Sequence, residues 1–271
     1  MTFETLKYKT SGRIGLITFN RPDRMNAFNV RLCAELKDAV KKVDADPAIR
    51  VVLIRGAGRK AFSAGYDIAE SAAAPKRGIT EWRAKLAEDL EFTMAPWNCS
   101  KPVIAVIYGH CLGGGLEFAQ MCDLRLASTE SKYGVVVTRF AAGVATSIMP
   151  WIIGSHARRL IYTGDIIDAE EAVRIGLVDK IYPTDNLEEE AMKIAGRMGQ
   201  VASEALQWNK RVINRTYEIM GLSSALRYGL EACTILDSTE TEEGRSFDQL
   251  RRTQGLQEAL AWRRELFKPY E

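Results

Sequence analysis

No apolar run in this sequence approaches the ~20 residues needed to cross a bilayer. The N-terminus, Met1-Thr2-Phe3-Glu4-Thr5, lacks the basic region and apolar core of a secretory signal. Charge of one sign is also lacking. Lys and Arg number 37 against 35 Asp and Glu, a formal net charge of +2, and no basic run is long enough to argue for nucleic acid. Cysteine is sparse and unpaired: Cys33, Cys99, Cys111, Cys122 and Cys233 are odd in number and show no metal-site spacing. They read as reduced cytosolic thiols. No internal repeat or low-complexity segment interrupts the chain. What is present is an ordinary soluble mixture, 46% hydrophobic and 27% charged over 271 residues. That length suits one large domain, or one domain with a smaller appendage, and buries a sizeable core.

The stretch that organises the chain is Gly109-His110-Cys111-Leu112-Gly113-Gly114-Gly115-Leu116-Glu117. It follows Val103-Ile104-Ala105-Val106-Ile107, which reads as a buried strand, and runs into Leu116 to Met121, which reads as a short helix. Three consecutive glycines cost backbone entropy. They also let another group approach the chain and leave the first N–H groups of the helix pointing outward, where negative charge is welcome. With Glu117 close behind, the stretch is either a tight turn with an ordinary first-turn glutamate or an oxyanion site beside an acid–base group. Cys111 lies in the same turn. A nucleophilic cysteine wants a basic partner, and His110, its immediate neighbour in sequence, is directed elsewhere, so Cys111 reads as structural.

Either side of this stretch the pattern alternates between strands and helices. Phe3 to Lys9 and Arg13 to Phe19 flank Thr10-Ser11-Gly12 as a hairpin. Asn20 to Ala27 is a polar turn. Asn29 caps a helix to about Val43, with Leu32, Leu36, Ala39, Val40 and Val43 on one face. Val51 to Ile54 is a buried parallel strand. Ala57 to Tyr66 reads as a loop, Ser71 to Gly78 as a small, polar and mobile stretch, and Glu81 to Met94 as a helix. Asp123 to Ala127 reads as a short strand, and Ser131 to Ala145 as irregular. Ile148 to Tyr162 reads as a helix broken near Gly154. Asp168 caps the next helix, which ends at Gly176, and Leu177 to Tyr182 is a last strand. From Asn186 onward only helical patterns occur. An α/β core over residues 1–200 with a helical region over 201–271 is the expected organisation.

Four places carry a resemblance that spans nearly the whole chain. They are Asn20-Arg21-Pro22 with Asn26-Ala27; Ala61-Phe62-Ser63-Ala64-Gly65-Tyr66-Asp67-Ile68; Gly109 to Glu117 with Cys122-Asp123; and Thr163-Gly164 with Ala169 to Ala172 and Gly176-Leu177-Val178. Together, in this order, they resemble the crotonase, or enoyl-CoA hydratase/isomerase, superfamily. The resemblance implies repeated β-β-α units wound as a spiral, with C-terminal helices that pack trimers, often paired into hexamers. It implies a coenzyme A thioester as substrate, with no metal or redox cofactor. By motif matching, the backbone N–H groups of Tyr66 and Gly114 hold the thioester oxygen and Glu117 is the acid–base carboxylate. Arg24, Met25, Ala27, Ala64, Asp67, Ile68, Gly113, Val137 and Arg139 would line the substrate or coenzyme A path. Phe247 belongs to a segment that in the family lies near the adenine, often across a subunit boundary.

One departure stands out. True hydratases carry a second glutamate on the segment matching Tyr133-Gly134-Val135-Val136-Val137-Thr138-Arg139-Phe140, and this segment has no carboxylate. No Asp or Glu occurs between Glu130 and Asp165. This counts against ordinary hydration of a simple enoyl-CoA. Hydration remains the leading expectation, on a more activated substrate such as a conjugated or cyclic dienoyl-CoA, by Glu117 alone or aided by another polar group. Single-carboxylate isomerisation, decarboxylation and hydrolysis are alternatives, as is a binding homologue without catalysis. Candidate helpers are Tyr66, Asp67, His110, Thr138, Arg139 and Thr146. Asp67 is expected to brace its loop, His110 to be buried, and Arg139 either to meet a substrate carboxylate or to form a structural ion pair.

Overall fold

The computed structural model describes residues 3–73, 77–144, 148–239 and 241–270. The strands are β1 (Leu6–Ser11), β2 (Ile14–Phe19), β3 (Val51–Gly56), β4 (Ala61–Ser63), β5 (Val103–Ile107), β6 (His110–Leu112), β7 (Leu124–Ser128), β8 (Lys132–Gly134), β9 (Ile166–Asp168) and β10 (Lys180–Tyr182). They form a six-stranded sheet in the order β1-β2-β3-β5-β7-β10 and a four-stranded sheet in the order β4-β6-β8-β9. The helices of the core are α1 (Val30–Ala45), α2 (Ile68–Ala73), α3 (Ile79–Thr93), α4 (Ala95–Asn98), α5 (Gly114–Gln120), α6 (Met149–Ile153), α7 (His156–Thr163), α8 (Ala169–Arg174) and α9 (Leu187–Met198). The C-terminal helices are α10 (Ser203–Ile219), α11 (Leu222–Ser238), α12 (Glu242–Gln254) and α13 (Leu256–Phe267).

The chain winds as the expected spiral. Each of the pairs β3/β4, β5/β6 and β7/β8 lays one strand in the large sheet and the next in the small one. Helical segments then carry the chain from β4 to β5 and from β6 to β7 in the large sheet, and from β8 to β9 in the small one. β1 and β2 are antiparallel, but from β2 inward the pairing is parallel, with Leu16 opposite Leu53 and Leu53 opposite Ile104. Strands covered on both faces read as unbroken apolar runs, so Val51 to Ile54 and Val103 to Ile107 were recognisable in advance. Helix caps also follow the expected chemistry: Asn29 Oδ1 accepts from Leu32 N at 3.0 Å, and Asp168 Oδ1 from Glu171 N at 2.9 Å.

The four-stranded sheet is where structure and expectation part. Ala57 to Tyr66, expected as a loop, contains β4. The glycine stretch contains β6, and Ser131 to Ala145, expected as irregular, contains β8 and a 3-10 turn over Val136–Phe140. Strands of three residues carry no usable period, and these exist because they pair with one another in parallel across the spiral. Ser71 to Gly78 begins within α2, and residues 74–76 of it lie outside the described residues.

An aromatic cluster ties the helices to the sheets. Phe28 meets Phe92 of α3 at 4.8 Å, Phe19 of β2 at 5.3 Å and Phe118 of α5 at 5.8 Å between ring centroids, all edge-on. The helical C-terminal region folds back on this core: α11 packs along α3, and the α12–α13 pair closes on the 3-10 turn, where Phe247 meets Phe140 at 5.4 Å. No helix among the described residues is long and apolar enough to cross a membrane. Phe28 links three elements and is 2% exposed, so Phe28→Ala should destabilise the fold by about 3–5 kcal/mol in denaturant unfolding. An unchanged midpoint would contradict this role.

Candidate active site

Two chain turns touch at one point. The first follows β4, the second follows β6, and the two strands are parallel neighbours. Gly65 adopts a positive φ of 92°, and a Cβ there would stand 2.9 Å from Gly114 N. A Cβ on Gly114 would meet the Tyr66 ring carbons at 2.7 Å. Only glycine permits this approach. Gly113, at φ 50° and ψ −126°, donates to Gly134 O at 2.9 Å, which fixes the second turn on β8.

The contact sets two donors side by side. Gly65 O accepts from Phe28 N and Asp67 N donates to Phe28 O, so the bridge to Phe28 uses the groups either side of Tyr66 N. Gly114 N opens α5 and has no partner within that helix. Neither Tyr66 N nor Gly114 N makes a hydrogen bond among the described residues. Glu117 lies three residues beyond Gly114 on the same helix and is 8% exposed. Unpaired donors beside a buried carboxyl match what acid–base chemistry on a carbonyl compound needs.

The surrounding residues hold the first turn still. Met25 and Asn26 have positive φ values of 50° and 53°. Met25 O accepts from Ala64 N at 3.0 Å. The Asn26 amide, 1% exposed, donates to Ala61 O at 2.8 Å and accepts from Arg21 N at 3.1 Å. Ser63 donates to Asn26 O and accepts from Gly65 N. Arg21 donates to Ala27 O at 2.6 Å and pairs with Asp67 at 2.8 Å. Asp67 also accepts from Ala69 N and Glu70 N, which starts α2 at Ile68. Burial alone would raise the Asp67 pKa, but Arg21 and these two N–H groups outweigh it and hold the carboxyl below its usual value. Asp67 therefore braces its loop. Arg24 is exposed at the turn's outer edge, with only a 3.9 Å approach to Asp23.

Tyr66 couples the two turns to α3. Its ring lies on Gly114, edge-on to Phe28 and Phe92, and its hydroxyl lies 3.1 Å from both Asp89 O and Thr93 Oγ1. Burial, and then the Asp89 charge, push its phenol well above the usual value, so it stays neutral. Val137 stands on the segment without a carboxylate, with a methyl 3.1 Å from where a Gly113 Cβ would be. Arg139 pairs with Asp165 at 3.4 Å and lies over the Phe267 ring, so the ion pair among its expected roles is present. Phe247 packs on Phe140 from its own chain. Thr138 Oγ1 lies 2.7 Å from Ile161 O. His110 is half-buried, and its buried Nδ1 has no partner among the described residues. Cys111 is fully buried, and burial pushes its thiol well above the ordinary value, which leaves no thiolate for nucleophilic work. Thr146 lies outside the described residues.

Arg21, Ser63, Thr93 and Asp89 were not singled out from the sequence as groups of this site. Arg21 and Ser63 sit inside motifs that were recognised, so their signal was present.

Comparison with known proteins agrees with the geometry. A sequence model of the enoyl-CoA hydratase/isomerase family matches residues 9–248. The chain is 36% identical over 253 residues to a probable enoyl-CoA hydratase of Rhizobium meliloti, covering 90% of this chain and 93% of that one. It is 36% identical over 226 residues to a crotonyl-CoA hydratase of Syntrophomonas wolfei, covering 79% and 83%. The crystal structure of an enoyl-CoA hydratase/isomerase from Xanthobacter autotrophicus superposes with a TM-score of 0.94 at 33% identity, covering 97% of this chain and 98% of that one.

The Asp67 brace carries a pH dependence. Its carboxyl is depressed in the folded state, so its contribution is complete at neutral pH and is lost as pH falls through the folded pKa. Asp67→Asn should lower stability at pH 7 by about 1–3 kcal/mol, and the difference from wild type should shrink in acid. An equal loss at pH 7 and in strong acid, measured by urea unfolding, would contradict the ion pair as its cause.

Proposed function

The chain belongs to the enoyl-CoA hydratase/isomerase family, and from that premise we propose that it adds water across the double bond of an enoyl-CoA thioester. One observation carries this reading: two adjacent backbone N–H groups without partners among the described residues, on Tyr66 and Gly114, beside the buried Glu117. The thioester oxygen accepts from both. As water adds to the β-carbon, charge builds on that oxygen, and a donor aimed there contributes about 3–4 kcal/mol to the transition state. Glu117 takes the proton of the attacking water. Gly113 is required by its backbone conformation.

Ala64, Asp67 and Ile68 border the coenzyme A path next to Tyr66, with Met25 and Ala27 behind them and Arg24 free to meet a phosphate. Phe247, through its contact with Phe140, closes the far side. The reading calls on no metal or redox group. Trp208, Val212 and Ile219 of α10 and Tyr228 and Ile235 of α11 are all exposed apolar side chains, a composition that suits self-association as a trimer or a pair of trimers. The cysteine thiols, none joined in a disulfide, suit the cytoplasm.

A second reading has one observation in its favour. Val137 stands where hydratases carry a glutamate, and a single carboxylate suffices to shuttle a proton in an isomerase. Decarboxylation and thioester hydrolysis share the same need for the donor pair, and the binding-only alternative needs no turnover at all.

A panel of crotonyl-, dienoyl-, aromatic enoyl- and malonyl-CoA separates these. The hydratase reading expects loss of the conjugated enoyl absorbance and a 3-hydroxyacyl product. Glu117→Gln should lower kcat by about 10²- to 10⁴-fold with KM little changed. A shifted double bond with no added water favours the isomerase. Full turnover by Glu117→Gln removes Glu117 from the chemistry.

A further inference from the structure

Val137 leaves the segment after the glycine turn without an acid, yet α5 itself carries a second polar side chain inside the fold. Gln120 stands three residues after Glu117 and is 3% exposed. Its Nε2 donates to Leu116 O at 3.2 Å. Its Oε1 is buried and accepts no hydrogen bond among the described residues. An acceptor held in that state costs about 1–3 kcal/mol, and an apolar side chain of similar length would avoid the cost. A buried polar group that the fold leaves unsatisfied calls for a partner from outside the chain.

Two observations direct that oxygen toward Glu117. The first is the face of the helix. Leu116, Phe118 and Ala119 belong to the main core with strand residues such as Phe19 and Phe62, whereas Met121 packs with Ile148, Leu222 and Leu226 in a separate cluster. Glu117, Gln120 and Met121 are spaced i, i+3, i+4, so they share the side of α5 turned away from the main core. The second is the direction of the side chain. Leu116 O belongs to the peptide that joins Leu116 to Glu117, so the hydrogen bond from Gln120 Nε2 draws the amide back one turn, level with Glu117. Residues three apart on a helix stand about 5–6 Å apart at Cβ. One water making two hydrogen bonds of about 2.8 Å spans such a gap.

We infer that Gln120 is a further catalytic residue: its amide oxygen and the Glu117 carboxylate together hold the water that adds to the thioester. The inference rests on the hydratase reading of the site. Water has two O–H bonds. Glu117 accepts one and Gln120 Oε1 the other, which leaves a lone pair of the water oxygen for the β-carbon. In the forward step that oxygen bonds to the β-carbon while one proton passes to Glu117. The π electrons move toward the α-carbon and the thioester oxygen. Glu117 then returns the proton to the α-carbon as the carbonyl re-forms. The O–H on Gln120 never breaks and becomes the hydroxyl of the 3-hydroxyacyl product. Hydroxyl and hydrogen have then been added across the double bond, and Glu117 is ionised again. A neutral amide suits this place, because its task is to accept a hydrogen bond and not a proton.

The test compares wild type with Gln120→Met, Gln120→Leu, Gln120→Glu and Glu117→Gln. Hydration of crotonyl-CoA and of a dienoyl-CoA is measured, together with solvent-deuterium uptake at the α-carbon of butyryl-CoA and Tm. The α-exchange needs the donor pair and Glu117 but no added water, so it separates a water-holding role from a packing one. Gln120→Met is expected to lose about 10- to 10²-fold in hydration kcat, with KM and α-exchange unchanged and Tm equal or higher. Gln120→Leu answers the same question if the methionine variant fails to fold. Gln120→Glu keeps an oxygen at this position and should retain most of the hydration. Hydration and α-exchange falling together in the apolar variants, or a loss as deep in Gln120→Glu, would overturn the role. Wild-type hydration in the folded apolar variants, with Glu117→Gln impaired, would overturn it and leave the hydratase reading intact. If wild type hydrates neither thioester, the hydratase reading fails and the role of Gln120 falls with it.

Discussion

A peptide N–H held out of water without a partner costs about 1–3 kcal/mol, and among the described residues Tyr66 N and Gly114 N stand close together with no protein partner. Left alone, the Tyr66 and Gly114 peptides would rotate toward a carbonyl. They do not, because the Gly65–Gly114 approach, the Gly113–Gly134 hydrogen bond and the Tyr66 ring on Gly114 leave no other arrangement. The spiral explains how this is sustained. Successive turns of the chain lay β4, β6 and β8 next to one another, so the loops that follow these strands are neighbours however far apart they are in sequence.

The same constraint accounts for the side chains around the site. Arg21, Asn26, Ser63 and Asp67 bind the first turn through backbone groups rather than through one another, which fixes the peptide plane of Tyr66 as well as its position. The Tyr66 hydroxyl extends the brace to α3, and α3 carries α11. The C-terminal region is thereby connected to the donor pair by two layers of packing.

Much of this was legible in the sequence, for identifiable reasons. Buried parallel strands show as unbroken apolar runs, and caps such as Asn29 and Asp168 announce helix starts. The glycine stretch and the Ala61 to Ile68 segment marked the two turns because close backbone approach demands particular residues. The small sheet was not legible, since three residues carry no period and pairing across the spiral is invisible along the chain. Arg139 left two roles open, and only the folded chain brings Asp165 and Phe267 to it.

The central claim is that two backbone donors grip one thioester oxygen. The most direct measurement is the infrared carbonyl band of a carbon-13-labelled enoyl-CoA bound to the Glu117→Gln protein, compared with the same thioester in water. The account predicts a shift to lower frequency on binding, as two N–H groups draw electron density onto the oxygen. A carbonyl band at its aqueous position in the bound complex would show that the Tyr66 and Gly114 N–H groups hold something else, and would contradict the account.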